Sequence, residues 1–352
     1  VAHRSGDLMT ASQTAASQTA SDQPAVVCFG ETMGMFTPTS SAPLNTAAGF
    51  TLGTGGAESN VAMHLAELGH QVAWASAVGT DPVGTKIIDA LAAAGVDTRW
   101  VGRTADLPTG LYLKEPDTGS GAHVFYYRQG SAASALKIAD AVGWPLAGAR
   151  WIHTTGITPA LSASCAELVE HVLDHAHEWG ASVSFDINFR PGLWPVSEAA
   201  PRLLALAAKA TVVLVGLDEA ETLWGSVTSA DVRALLPNVQ YLVVKDGSID
   251  ATEFSLNSDG TDTITVVPAR KVDVVEPVGA GDAFAAGYLS SLITAETSAD
   301  RLARGHSRAA WALGSRQDFR PGLGQRMSAD EPHAAGDTSG TSDNDRELEL
   351  RR

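Results

Sequence analysis

The sequence predicts an α/β fold in which a mostly parallel sheet carries helices on both faces. Three observations predict it. Short, wholly apolar runs alternate with longer stretches of helical spacing, from "AVVCFG" (25–30) to "GDAFAAGYLSSLI" (281–293). The runs are apolar at nearly every position, as in strands buried on both faces. Two glycine-led segments, "GTGGAESN" (53–60) and "GAGD" (279–282), stand directly before helical spacing. Folds of this class bind ligands there, beyond the carboxyl ends of the strands.

Taken in order, "AVVCFG" is the first buried strand, ended by Gly30. In "NVAMHLAELG" the apolar residues at 61, 62, 65, 66 and 68 share a helical period, and Gly69 stops the helix. "QVAWASAVG" is a strand and "PVGTKIIDALAAAGV" a helix. The alternation resumes with the strand "RWIHTTG", the helix "CAELVEHVLDHAHEWG", the strand "SVSFDIN" and the helix "AAPRLLALAAKA". The strands "TVVLVG" and "YLVVKDG" follow, and "GDAFAAGYLSSLI" closes with a helix. Two stretches, 31–55 and about 107–129, break this rhythm. "TGLYLKE" and "AHVFYYRQG" alternate as extended strands, and "EPDTGSGA" between them has hairpin-loop chemistry. They predict a small β-sheet projecting from the main one.

The chain has 352 residues, 44% of them hydrophobic, which suits one large α/β domain. Residues 1–24 and 323–352 hold too few bulky apolar residues to offset their ordering entropy, so both are expected to be disordered tails around a domain at 25–322. A formal charge of −16 argues against a general nucleic-acid binder. It leaves anionic small molecules open, because remote charges are screened beyond about 8 Å. No apolar run reaches the roughly 18 residues of a membrane span, and the start of the chain lacks the order of a secretory signal. Cys28 lies in an apolar run and Cys165 is the only other cysteine, so a reducing cytoplasm is the expected compartment.

Four segments carry candidate chemistry. In "GAGD" the bare backbone of Gly279, Ala280 and Gly281 can approach a phosphate at the positive end of the following helix. Asp282 in the first turn is placed to take a proton from an alcohol; the plain alternative is a capped helix after a glycine turn. In "GTGGAESNVAMHL" Gly55 and Gly56 let a ligand lie against the chain, and Asn60 can both donate to and accept from sugar hydroxyls. On "FYYRQG" Tyr126 and Arg128 share one strand face, and an aromatic beside a guanidinium suits a hydroxylated acid. In "SFDINFRPGLW" Asp186, Asn188 and Arg190 alternate at a strand's carboxyl end, with Arg190 a carboxylate or phosphate clamp. Two patterns are rejected: "GTDPVGTK" has Lys and Thr in the wrong order for a Walker loop, and His171 and His175 read as a solvated helix face rather than a zinc site.

Together these segments resemble the ribokinase-like (PfkB) sugar kinases over about residues 25–322. "GGAESNVA" is similar to that family's N-terminal signature, and "PVGAGDAFAAGYL" to its C-terminal one. "TGLYLKE", "YYRQGSAAS", "DINFRPGLW" and "TGITPALS" resemble the branch that acts on 2-keto-3-deoxygluconate. The resemblance implies transfer of the ATP γ-phosphate to the 6-hydroxyl of that acid. Kinases for a neutral hexose such as fructose, and a non-catalytic sugar-acid-binding homologue, remain as alternatives. It puts the base on Asp282 and the anion hole on Gly279, Ala280 and Gly281. The sugar contacts fall on Gly56, Asn60, Tyr112, Tyr126, Arg128 and Arg190. ATP falls to Lys245, Gly247, Gly279, Gly281 and His306, and Mg²⁺ to Glu219, with a monovalent cation as an optional third cofactor. It also implies a homo-oligomer paired through the small sheet acting as a lid. The chain departs from the family at three points: Gly216 replaces Asn in N-x-x-E, Asp250 replaces the second Gly of K-x-G-x-x-G, and His306 stands where Asn is common. At 250 a positive φ is expected, which Asp tolerates better than most residues.

Overall fold

The structure is a computed structural model that describes residues 23–115, 123–275, 278–315, 319 and 321–322. The two expected tails lie outside these residues except for positions 23 and 24, and so does the hairpin loop 116–122.

Thirteen strands and nine α-helices alternate along the described residues. The first stretch runs β1 (Val26–Phe29), β2 (Met33–Pro38), β3 (Phe50–Gly55), α1 (Ala57–Glu67), β4 (Val72–Gly79) and α2 (Pro82–Ala93). Next come β5 (Val101–Thr104), β6 (Leu111–Lys114), β7 (Val124–Tyr127), α3 (Ile138–Ala141), β8 (Trp151–Thr155), α4 (Ala163–His175) and β9 (Ser182–Asp186). The chain continues through α5 (Val196–Ala207), β10 (Val212–Gly216), α6 (Leu217–Trp224), α7 (Ser229–Leu235) and β11 (Tyr241–Asp246). It ends with β12 (Asp250–Leu256), β13 (Asp262–Pro268), α8 (Ala280–Ile293) and α9 (Ser298–Leu313).

Nine strands form the main sheet, in the order β13-β12-β11-β10-β9-β8-β1-β4-β5. From β5 to β11 every neighbouring pair is parallel; β12 and β13 pair antiparallel at one edge. Period-two alternation sends successive residues to opposite cores. Val27 and Phe29 pack with Leu168, Val172 and Leu203 of α4 and α5. Val26 and Cys28 pack with Leu65, Leu91, Phe284 and Leu302 of α1, α2, α8 and α9. Both faces are therefore covered, which explains why these strands read as unbroken apolar runs. Both cysteines are free and buried. Among the described residues no helix is long and apolar enough to cross a membrane.

The two stretches that broke the rhythm supply a separate four-stranded sheet, β3-β2-β6-β7. Its cleft-facing side holds a small cluster of Met33, Met35 and Tyr112. The strand order of the main sheet reverses at β1, with β8 on one side and β4 on the other. Ligands of open α/β sheets bind beyond such a point, and the small sheet stands over that end.

Candidate active site

A cleft of about 1210 Å³ opens there, and every sequence-nominated site residue lines it: Gly56, Asn60, Tyr112, Tyr126, Arg128, Arg190, Glu219, Lys245, Gly247, Gly279, Ala280, Gly281, Asp282 and His306. Its floor is made by the carboxyl ends of the strands. Glu31 follows β1, Asp186 ends β9, Gly216 ends β10 and Lys245 lies near the end of β11.

Gly279 caps α8 with φ 84°, a left-handed conformation that a side chain would strain, and so aims the first turn's amides at the cleft. Asp282 sits in that turn, half-buried. Its Oδ2 accepts a 2.8 Å bond from Asn60 Nδ2 of α1, across 222 residues of sequence. Asn60 is 2% exposed, and its Oδ1 is buried without a partner among the described residues. Buried polar atoms are almost always satisfied, so this oxygen points to a ligand donor. At Gly56 the bareness serves the protein itself: a Cβ would lie 2.4 Å from the Glu31 carbonyl oxygen and 2.8 Å from Thr32 Cα. The bareness of Gly56 is thus first of all room for the backbone that links β1 to β2.

Beside the glycine turn lies a compact charge cluster. A Cβ on Gly281 would meet Lys245 Nζ at 3.8 Å, which places the ammonium next to the helix mouth. Lys245 pairs with Asp186 Oδ2 at 3.2 Å. Burial works against its proton, but the carboxylates of Asp186 and Glu219 outweigh that and hold its pKa above the usual lysine range. Glu219 accepts from the Phe189 and Gly216 amides, both at 2.9 Å. Burial and the neighbouring Asp186 push its carboxyl upward. Gly216 therefore contributes a backbone N–H where the family pattern has an amide side chain. Asp186 Oδ1 is buried without a partner among the described residues. Two carboxylates with an orphaned oxygen suit a magnesium ion, which takes one or two carboxylates and fills its shell with water and phosphate. Among the described residues no group of three or more His, Cys, Asp or Glu gathers as a metal cage.

The small sheet forms the other wall. Tyr112 and Tyr126 face each other across β6 and β7, their rings 5.7 Å apart. Arg128 stacks over Tyr126 at 5.6 Å. One expectation needs correction here. The sequence offers Arg128 beside Tyr126, like Arg190, as a partner for an acid. Instead, Glu31 takes its Nε at 2.6 Å and its Nη2 at 2.5 Å. Arg190 differs: it is exposed, and its one side-chain bond among the described residues is to the Phe189 carbonyl at 3.2 Å.

The nucleotide-side expectations also change in detail. Asp250 does not take a positive φ; it opens β12, paired with Asp246, and Gly247 absorbs the left-handed turn at φ 50°. His306 is buried, its Nε2 meets the Val267 carbonyl at 3.0 Å, and its ring packs edge-on against Phe284. Val272, Val274, Val278, Ala309, Ala310 and Leu313 give this end an apolar lining. Sequence reasoning missed Glu31 and that lining. The doublet "GE" right after a buried strand was the available signal for Glu31.

Comparisons with known proteins bear on this geometry. The model of the pfkB family carbohydrate kinases matches residues 23–321. The 2-dehydro-3-deoxygluconokinase of Bacillus subtilis (strain 168) is 36% identical over 301 residues, covering 84% of this chain and 90% of its own length. The crystal structure of a PfkB protein from Polaromonas sp. JS666 superposes with a TM-score of 0.77 at 34% identity, over 87% of this chain and 100% of that one. A fructokinase with bound ATP from Xylella fastidiosa superposes with a TM-score of 0.71 at 27% identity, over 84% of this chain and 93% of that one.

Proposed function

From the premise that the chain belongs to the pfkB family of carbohydrate kinases, we propose that it moves the γ-phosphoryl group of ATP to the 6-hydroxyl of 2-keto-3-deoxygluconate, also called 2-dehydro-3-deoxygluconate. The observation that carries this reading is Asp282: its carboxylate stands in the first turn of a glycine-capped helix, inside the cleft that also holds Arg128 and Arg190. The Bacillus subtilis relative, a 2-dehydro-3-deoxygluconokinase, supports the acceptor. The ATP-bound Xylella fastidiosa fructokinase supports the donor.

Phosphoryl transfer asks the protein for positioning and charge stabilisation more than covalent chemistry. Asp282 takes the hydroxyl proton as the new O–P bond forms and the bond to the leaving ADP oxygen breaks. The amides of Gly279, Ala280 and Gly281, with Lys245 beside them, hold the charge spread over the migrating group. Asp186 and Glu219 would hold Mg²⁺, which neutralises phosphate charge when bound. Asn60 fixes the Asp282 carboxylate and offers its Oδ1 to a sugar hydroxyl. Arg190 takes the acid's carboxylate, since Arg128 already has one in Glu31. The far face of the small sheet carries Phe50, Phe125 and Tyr127, all exposed, so two chains are proposed to pair through it.

Incubation with ATP, Mg²⁺ and the acid, followed by phosphorus-coupled NMR, tests this. The account expects ADP and the 6-phosphate ester. Absence of ADP with this acid and its C4 epimer contradicts it.

A further inference from the structure

Glu31 has no part in the transfer described above, yet it is the most enclosed carboxylate of the acceptor wall. Its side chain is fully buried, directly after the central strand β1 at the point where the strand order reverses. Oε2 takes both Nε and Nη2 of Arg128, while Oε1 takes the Ser131 hydroxyl at 2.5 Å. Ser131 is 1% exposed and Arg128 8%. The two donors come from the segment that leaves the small sheet at β7, so a carboxylate rooted in one sheet orients an arginine rooted in the other. A planar guanidinium gripped through Nε and one terminal nitrogen cannot rotate about its own axis. Its remaining N–H groups are then set in the cleft beside Tyr126.

We propose that Glu31 is a positioning residue for acceptor recognition. It fixes the plane of Arg128 and cancels its charge, so Arg128 donates to neutral oxygens of the sugar chain. Of the two, Arg190 then answers the carboxylate. These two arginines of the acceptor end thereby do different work: one reads hydroxyl or keto oxygens, the other reads charge. The inference rests on the sugar-acid kinase reading above.

Glu31→Gln, Arg128→Ala and the double variant of the full chain test it. Steady-state KM is measured for the acid and for ATP, and calorimetry follows acid binding without nucleotide. Glu31→Gln removes the carboxylate charge and leaves at most a neutral amide oxygen for the guanidinium, which loosens it. The KM for the acid should rise about 10- to 100-fold, the cost of an ångström-scale misplacement. The KM for ATP should stay at its wild-type value, and Glu31→Asp, which keeps the charge, should recover part of the loss. Adding Arg128→Ala to Glu31→Gln should change little, because both remove one contact.

A purely architectural role predicts the opposite: both KM values move together and the two substitutions add. Either result overturns the proposal, as does an acid KM that is unchanged or lower. Should Glu31→Gln fail to fold, Ser131→Ala takes its place, with a smaller rise in acid KM expected and no rise counting against. Wild-type protein that neither binds nor phosphorylates the acid sinks the functional reading and this inference with it. Active wild-type enzyme with an indistinguishable Glu31→Gln variant sinks the inference alone.

Discussion

The two ends of the cleft are built on different principles. The acceptor end is a lattice of buried and half-buried, mutually bonded polar groups: Asn60 on Asp282, Glu31 on Arg128 and Ser131, Lys245 on Asp186. The nucleotide end is a set of small apolar side chains, of which Val274 is 59% exposed, around a histidine already occupied by a backbone carbonyl. A site whose buried polar groups wait for a ligand partner, as Asn60 Oδ1 does, rejects a wrong ligand strongly, because a mismatch strands that group. A hydrophobic slot discriminates weakly, by about 1–3 kcal/mol per methylene. The contrast locates selectivity on the sugar side.

The largest effect expected is at Asp282. Asp282→Asn keeps the size and the bond from Asn60 within reach but removes the base. Turnover should fall about 10²- to 10⁴-fold while calorimetric acid binding persists. Near-normal kcat would remove Asp282 from its role. Next, Arg190→Ala should raise the KM for the acid roughly 10- to 100-fold, the worth of a hydrogen bond to a charged group, and leave ATP alone. A larger rise for ATP than for the acid would reverse the assignment of the two ends. Val274→Ala should raise the KM for ATP about three- to tenfold, the loss of one or two buried methyl groups. No change would mean that the valine does not touch the nucleotide.

The smallest effect at neutral pH concerns stability. Behind the acceptor floor, burial drives His153 down to about 4, and on α1 it drives His64 down to about 3. Both folded values lie below the 6.5 of the unfolded chain. The stability these neutral rings represent is complete above about pH 6.5 and is lost as pH falls toward the folded values. Melting temperature should therefore be flat from pH 7 to 8 and drop between pH 6.5 and 4. His153→Asn, which can still meet Ser184, should flatten part of that drop; an unchanged slope would discount the histidine.

How much of this was legible depended on where polarity fell. The strands β1, β4, β8, β9, β10 and β11 and the helices α1, α2, α4, α5 and α8 announce themselves because their buried faces are apolar; β5, α3, α6 and α7, all eight residues or shorter, do not. The helix α9 was missed because its buried positions include Arg301, His306 and Arg308, so the face that packs inward does not read as apolar. Arg301 is paired with Glu253 of β12, another element that the sequence pattern did not mark as a strand. The strand β13 escaped although Thr263 to Val266 alternate polar and apolar; its apolar Ile264 and Val266 face outward, the reverse of a half-buried edge strand. In the site, the glycine turn and Asp282 were legible as a local pattern. The pairing of Glu31 with Arg128, 97 residues apart, was not, since spacing in one strand says nothing about what another strand's end brings to it. That is why the charge argument fell on two arginines when the geometry leaves it on one.

The central claim is that this cleft chooses an acid over a neutral hexose, and the direct measurement is kcat/KM for 2-keto-3-deoxygluconate against fructose with saturating Mg²⁺ and ATP. The account predicts a ratio of about 10 to 100 in favour of the acid, the worth of the charge-assisted hydrogen bonds that the exposed Arg190 makes to a carboxylate. A ratio near or below one would contradict it.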